Sequence, residues 1–399
     1  MCEYKSKRRG SRVERREEVV MAKVLILGGG FGGVIAAKRL AEQLGDEHQI
    51  TLVSRSRHFV FYPALVRLAF GKCQPDDVLF NLRQAMLDQR INFIEAEVAR
   101  IDPHERKVSI ARGEVEGSLS YDYLIFALGR RLATERVPGF YEHAHHLLSV
   151  DKAQKFGKAI QGFHEGRVVI AQCADARLPI PVYETAFALA RRLEERNERD
   201  RVHISVVSPD PIGVEFEDSD VALALQSSLD RHQIEFLSGI SIEKVTAHAA
   251  ITGDRGELNF DLLMLMPPFQ GAPGALNQGI TTDGYINVDS TMRVTGVEGM
   301  YAVGDCVNFS GPKMGHMAVR QAEVAAANLA AEVEGREPEK HYEHEMRLVI
   351  DEGGADTMYL HKDIWTNEPT TLRQGRFWKW AKRAHEKYWE TSTFGMRQF

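Results

Sequence analysis

The turn Gly28-Gly29-Gly30-Phe31-Gly32-Gly33 sits inside AKVLILGGGFGGVIAAKRLAEQL, between a buried-strand run and a helix that opens on small residues. Residue types and spacing there suit phosphate binding. Gly28 permits the tight turn, Gly30 admits a pyrophosphate against the backbone, and Gly33 lets the helix lie close on the strand. The exposed amides and dipole of the helix then hold the phosphates. A second stretch, RVVIAQCADARLPIPVYETA (167–186), has the same strand–turn–helix layout, but no glycine lies between Gly166 and its helix. Its turn carries side chains where a pyrophosphate must approach, and Pro179 and Pro181 remove two backbone donors. The next strand, HISVVSPD, ends in Ser208 and Asp210 instead of the acidic tip that an NAD site requires.

Three more features bear on the cofactor. The strand QITLVSRS places Ser54, 21 residues after Gly33, where a carboxylate normally takes an adenosine ribose. A hydroxyl bonds a ribose more weakly than a carboxylate does, which counts against NAD more than against FAD. YDYLIFALGRR (121–131) is a buried strand ending in Ala127 and Gly129, and GMYAVGDCVN (299–308) is another ending in Gly304-Asp305. In flavoproteins with two dinucleotide domains, such an Asp meets the ribityl chain after an insertion has split the FAD domain. The three strand ends together indicate FAD.

These elements predict an α/β fold with two Rossmann-like, three-layer domains, the second inserted in the first, followed by a C-terminal amphipathic region. The expected boundaries are residues 22–148 with 287–335 for the FAD domain, 149–286 for the second domain and 336–399 for the C-terminal region. Residues 1–21 carry seven Lys/Arg against four Glu and no apolar core of a secretion signal, so they read as a disordered basic leader with Met21 as the natural start. At 44% apolar and 27% charged residues the chain is globular in character, and its net charge of −6 argues against a nucleic-acid partner. Cys2, Cys73, Cys173 and Cys306 form neither a CxxC nor a metal-ligand spacing, which suits a reduced cytoplasm and no metal. No run of about 18 apolar residues exists.

The chain resembles the sulfide:quinone oxidoreductase and type II NADH dehydrogenase superfamily over about residues 22 to 390. It is nearer the sulfide:quinone branch in TLVSRS, HFVFYPALVRLAFGK (58–72), LMPPFQG (265–271), GPKMGHM (311–317), DEGG and WKWAKRAHEKYWE (378–390). The resemblance implies a flavoenzyme peripheral to the inner face of the plasma membrane, reduced by a donor on one flavin face and reoxidised by quinone. It further implies FAD contacts from Phe31, Gly32, Ser54, Arg55, Pro63, Val98 and Lys313, besides the glycines and Asp305 named above. Lys313 matches a family lysine near the flavin pyrimidine, and Glu184 matches a glutamate that shuttles protons to quinone. His316, one turn beyond Lys313, is a candidate proton relay.

The family's three sulfur-handling cysteines fall on Leu148, Leu178 and Leu348, and leucine has no nucleophile. Cys173 reads as a small buried residue at a strand end, and Cys306 as packing near the flavin. The electron donor is therefore left open. A type II NAD(P)H:quinone dehydrogenase-like reductase and a catalytically decayed FAD-binding regulatory protein are the alternatives.

The tail completes the reading. On a helical wheel Phe377, Trp380, Ala381, Ala384 and Tyr388 form one stripe, opposite Arg376, Lys379, Arg383 and Lys387, with Trp378 and Trp389 flanking. Residues 371–399 hold seven Lys/Arg and two acids. That pattern describes a helix lying on a membrane surface, and a helix covering its own core would show the same periodicity.

Overall fold

The computed structural model describes residues 21–177, 179–271, 280–354 and 357–394. The expected leader lies almost wholly outside the described residues, as does Leu178. The first sheet is built from β1 (Lys23–Leu27), β2 (Gln49–Ser54), β3 (Asn92–Asp102), β4 (Lys107–Gly113), β5 (Ser118–Ser120), β6 (Tyr123–Phe126) and β11 (Met300–Ala302), in the spatial order β11-β6-β1-β2-β3-β4-β5. The five strands from β11 to β3 are mutually parallel, and β4 and β5 extend the sheet antiparallel. Val24 to Leu27 of β1 are all buried, as a central parallel strand covered on both faces requires. Helix α1 (Phe31–Leu44) crosses from β1 to β2 and buries Val34, Ile35, Leu40 and Leu44.

After β6 the chain leaves this sheet and returns only at β11. Between them stand β7 (Gly166–Gln172), β8 (Val202–Val207), β9 (Ile234–Leu237) and β10 (Leu262–Met266), a parallel sheet in the order β9-β8-β7-β10. Helices α2 (Leu65–Ala69), α3 (Val150–Gln161), α4 (Ile180–Glu195) and α5 (Ser219–Arg231) contribute to its core, whose largest fully buried rings include Phe156, Phe187 and Phe216. The architecture is two Rossmann-like units with the second carried on an excursion from the first. The outgoing and returning segments pair with each other, Arg131–Leu132 running antiparallel to Phe269–Gln270.

The expected boundaries shift at both ends of the excursion. His145 forms a parallel bridge to Met264, so the second sheet recruits the chain before residue 148. Ile286 is fully buried in the first core and bridges Val307, so the chain has rejoined the first unit before residue 287. In both cases short edge pairings, invisible to hydrophobic periodicity, set the border.

Helix α6 (Gly315–Val333) covers the first sheet beside α1, and a three-stranded antiparallel sheet follows: β12 (Glu345–Ile350), β13 (Met358–Asp363) and β14 (Thr371–Gln374). The last helix, α7 (Arg376–Phe394), inverts the usual polarity. Phe377, Trp380 and Tyr388 are 61%, 65% and 72% exposed. Its inward side chains are polar: Lys379 donates to the Gly353 carbonyl at 2.7 Å, and Lys382 reaches the buried Glu184 carboxylate of α4 at 2.5 Å. Glu386 pairs with Arg67 of α2 at 2.6 Å. The wheel expectation is thus corrected for Lys379, which the backbone carbonyl of the DEGG turn draws inward. Arg376, Arg383 and Lys387 stay exposed beside the aromatic residues. Near its end α7 returns to ordinary packing, with Trp389 buried against Phe31, Phe59 and Phe61.

The Lys382–Glu184 pair makes a stability prediction. Removing one member of a buried pair strands the other charge, at a cost of about 3–5 kcal/mol. Lys382→Met should show that loss in urea unfolding, and Lys382→Met combined with Glu184→Gln should recover most of it.

Candidate functional site

Because β11, β6 and β1 are parallel neighbours, their C-terminal ends open on the same edge of the sheet. Gly28, Ala127 and Gly304 thereby meet although roughly a hundred residues or more separate each from the next. The contacts are close enough to dictate residue type. Gly28 has φ +114°, and a Cβ there would lie 2.1 Å from the Ala127 carbonyl oxygen. A Cβ on Gly33 would lie 1.8 Å from the Gly28 oxygen. By contrast, nothing lies within 4 Å of a Cβ built on Gly30 or on Gly129. Closed contacts at Gly28 and Gly33 with open space at Gly30 are what a dinucleotide's pyrophosphate needs. The N-terminus of α1, capped by Gly30 with no side-chain hydrogen bond, leaves its amides available for the phosphates. These residues fit FAD.

The other cofactor candidates surround this edge. The Ser54 hydroxyl is buried at the tip of β2 and donates to the Ser56 carbonyl at 2.8 Å, so its proton is already committed. Arg55 is exposed after β2, and Pro63 is exposed in the short 3-10 helix Tyr62–Ala64. Val98 sits at an irregularity between β3 and β4, partly buried against the first core. The Phe31 ring turns away from the phosphate side into an aromatic cluster with Phe59, Phe61 and Trp389, at centroid distances of 5.0 to 5.8 Å.

Asp305 has a partner that the sequence reading did not assign. Arg130, immediately after Gly129, places Nε 3.1 Å from the Asp305 carboxylate. Its guanidinium lies face-on over the Phe269 ring of the returning segment, 3.4 Å from the centroid, and its Nη1 donates to the Ala176 carbonyl at 3.4 Å. Lys313 is buried and donates from Nζ to the Val307 and Phe309 carbonyls at 2.5 and 3.1 Å. Burial pushes its ammonium down to about 8, with Asp305 opposing that shift. Arg177, from the turn before α4, shares the Tyr285 ring with Lys313, at 5.3 and 5.1 Å respectively. Two basic residues in a row after a strand-end glycine were the available signal for Arg130. Arg177 and Tyr285 needed the fold.

The proton-handling candidates do not join this group. Glu184 is fully buried and accepts from Lys382 and, at 2.9 Å, from the Asp351 amide. Burial raises its pKa, and the Lys382 charge opposes the rise. His316 is committed to the other end of β12: its Nε2 accepts the Arg347 amide at 3.1 Å. Burial lowers the imidazole to about 4, so it is neutral at physiological pH. The nitrogen expected to relay a proton is thus the one that accepts the Arg347 amide.

The sulfur positions are equally closed. Leu148 and Leu348 pack on the second core. Cys173 and Cys306 are buried, and burial pushes both thiols up to about 12, so neither forms a thiolate at neutral pH. The second-domain turn is unfavourable for a pyrophosphate. Pro179 caps α4 with Pro181 in its first turn, while the nearby carboxylate of Glu215 is raised to about 7 by burial with Asp210 adding to it.

Residues 22–171 and 182–322 match the model of the pyridine nucleotide-disulphide oxidoreductase family. The chain belongs to that family, and it is a FAD-dependent oxidoreductase. The gap between the two matched segments, 172–181, holds the glycine-free turn. A sulfide-quinone reductase of Aquifex aeolicus is 24% identical over 394 residues, spanning 92% of this chain and 90% of the relative. A type II NADH:quinone oxidoreductase of Staphylococcus aureus is 22% identical, spanning 80% and 84%. The solved structure of the Aquifex aeolicus sulfide:quinone oxidoreductase superposes with a TM-score of 0.86 at 23% identity, covering 93% of this chain and 91% of that one.

Two predictions follow from the geometry. Gly33→Val should abolish FAD retention, read as the flavin-to-protein ratio after purification, because its side chain must overlap the Gly28 carbonyl. His316, near 4 when folded and about 6.5 when unfolded, favours the folded state fully only above pH 6.5, and that contribution declines as pH falls towards 4. His316→Gln, which keeps an acceptor for the Arg347 amide, should remove about 2 kcal/mol of the stability difference between pH 7.5 and 5.0 in urea unfolding.

Proposed function

We propose that this chain passes electrons from a small-molecule donor, by way of FAD, to a quinone at a membrane surface. The observation that carries the reading is the convergence of Gly28–Gly33, Ala127–Gly129 and Gly304–Asp305 on one sheet edge, with α7 running from that edge to an exposed aromatic face. FAD, when bound, supplies the two-electron chemistry. The chain's own residues orient it and set its surroundings. Lys313 presents a positive charge that stabilises negative charge developing on a reduced ring. Glu184, buried between α4 and α7, is the carboxyl group placed to exchange a proton with a quinone approaching along α7.

The acceptor is supported by the relatives named for quinone reduction and by α7 itself. Phe377, Trp380 and Tyr388 project outward with Arg376, Arg383 and Lys387 beside them, the side-chain set of a helix resting on anionic lipid. Among the described residues no helix is long and apolar enough to cross a membrane, so α7 is the element proposed to make contact.

The donor is proposed to be neither a pyridine nucleotide nor sulfide carried on cysteine. Pro179, Pro181 and the absence of glycine from the turn oppose a second dinucleotide, and leucines stand where the sulfur chemistry requires thiols.

Anaerobic titration of the purified FAD-loaded protein tests this. NADH, NADPH and sulfide should leave the flavin absorbance essentially unbleached on the seconds timescale, whereas protein reduced photochemically should be reoxidised rapidly by a soluble quinone. Rapid bleaching by either nucleotide would establish the type II dehydrogenase alternative instead. Failure of quinone to reoxidise the reduced protein would overturn the acceptor.

A further inference from the structure

The charge balance at the junction of the two units is uneven, and the unevenness is confined to one place. Arg130, Arg177 and Lys313 converge there from three separate segments: Lys313 donates its amide to the Arg177 carbonyl at 3.1 Å, and Arg130 donates to the neighbouring Ala176 carbonyl. Asp305 is paired with Arg130. Asp175, the other nearby acid, is paired with Arg136 at 3.1 Å. Among the described residues neither Arg177 nor Lys313 has a carboxylate within ion-pair distance; both instead face the ring of Tyr285. Two cations thus share an aromatic floor, one buried and fixed by two carbonyls, the other exposed.

Placing like charges together in this way is unfavourable without a counter-ion, because buried or half-buried repulsion is poorly screened. Arg130 and Arg177 both depress the Lys313 ammonium, which is the signature of that repulsion. The pyrophosphate cradle is assigned to Gly30 and the N-terminus of α1, whereas Arg177 approaches from the second unit. Arg177 also lies within 172–181, between the two segments that match the family model.

We propose that Arg177 and Lys313, with Arg130 behind them, receive a carboxylate-bearing small molecule at the junction of the two units. The guanidinium of Arg177 has the planar geometry that takes both oxygens of a carboxylate, and the Lys313 ammonium adds a point charge at the buried end. The assignment rests on the FAD reading and supplies the donor class that it leaves open.

The test uses the full-length FAD-loaded protein, with acetate and benzoate as probes and acetamide and benzamide as uncharged matches. Both carboxylates should perturb the visible flavin spectrum and raise the melting temperature saturably, more weakly at higher salt, while the amides do neither. Arg177→Met should weaken carboxylate binding by about tenfold or more at an unchanged flavin-to-protein ratio, and Arg177→Lys should restore part of it. Equal effects of amides and carboxylates, or undiminished binding by Arg177→Met, would overturn the proposal. Loss of flavin from Arg177→Met would overturn it too, by assigning the cation to the cofactor. Should wild-type protein hold no FAD, the underlying reading fails, and the melting-temperature shift of the flavin-free protein still decides the carboxylate site.

Discussion

The backbone contact between the ends of β1 and β6 is the constraint on which the site depends. Gly28 lies so close to the Ala127 carbonyl, and Gly33 so close to the Gly28 carbonyl, that no side chain fits at either glycine. That contact sets the distance between α1 and the sheet, and hence the direction in which the helix amides point. It also makes the edge common to strands far apart in sequence, because β11 joins on the far side of β6 and brings Asp305 with it. A local steric condition at a few glycines therefore determines where charge from three distant segments accumulates.

At the opposite end of the chain, α7 is held by polar contacts from Lys379, Lys382 and Glu386 while Phe377, Trp380 and Tyr388 face outward. A helix on its own core does the reverse. The cost of burying Lys382 and Glu184 is offset only if both stay paired, and the pairing ties α7 to α4 and, through the Asp351 amide, to the turn after β12. Pairs of this kind select one docking geometry, since a shifted helix leaves both charges unmatched. The exposed aromatic residues are thereby presented in a fixed orientation, and Trp389 carries the same helix to Phe31 beside the phosphate cradle.

Much of this was legible in the sequence, for identifiable reasons. The glycine spacing, the buried strands and the Gly304-Asp305 ending are local patterns with stereochemical causes, so the fold class and the cofactor edge could be read directly. The tail helix was legible as a periodicity, but not the direction it faces: a stripe of Phe377, Trp380 and Tyr388 is compatible with core or solvent, and only the inward pull on Lys379 and Lys382 decides. The surroundings of His316 were not legible, because proximity to Lys313 in sequence says nothing about the β12 backbone that holds its ring. Arg177 was silent because its neighbours come from distant segments, and no pattern within 172–181 announces them.

The second unit has the strand–turn–helix architecture without the glycine turn that recognises a dinucleotide. Its four parallel strands and α4 retain the strand–turn–helix layout that elsewhere grips a dinucleotide, but glycine has given way to Ala174, Asp175, Ala176 and Arg177, and two amides at the helix start are lost to Pro179 and Pro181. Asp175 and Arg177 adopt positive φ, +63° and +47°, without being glycine. The turn therefore keeps a tight course that glycine would follow at less steric cost, while bearing side chains that glycine lacks. The turn thus meets its surroundings through side chains, a guanidinium among them, where a dinucleotide loop offers bare backbone.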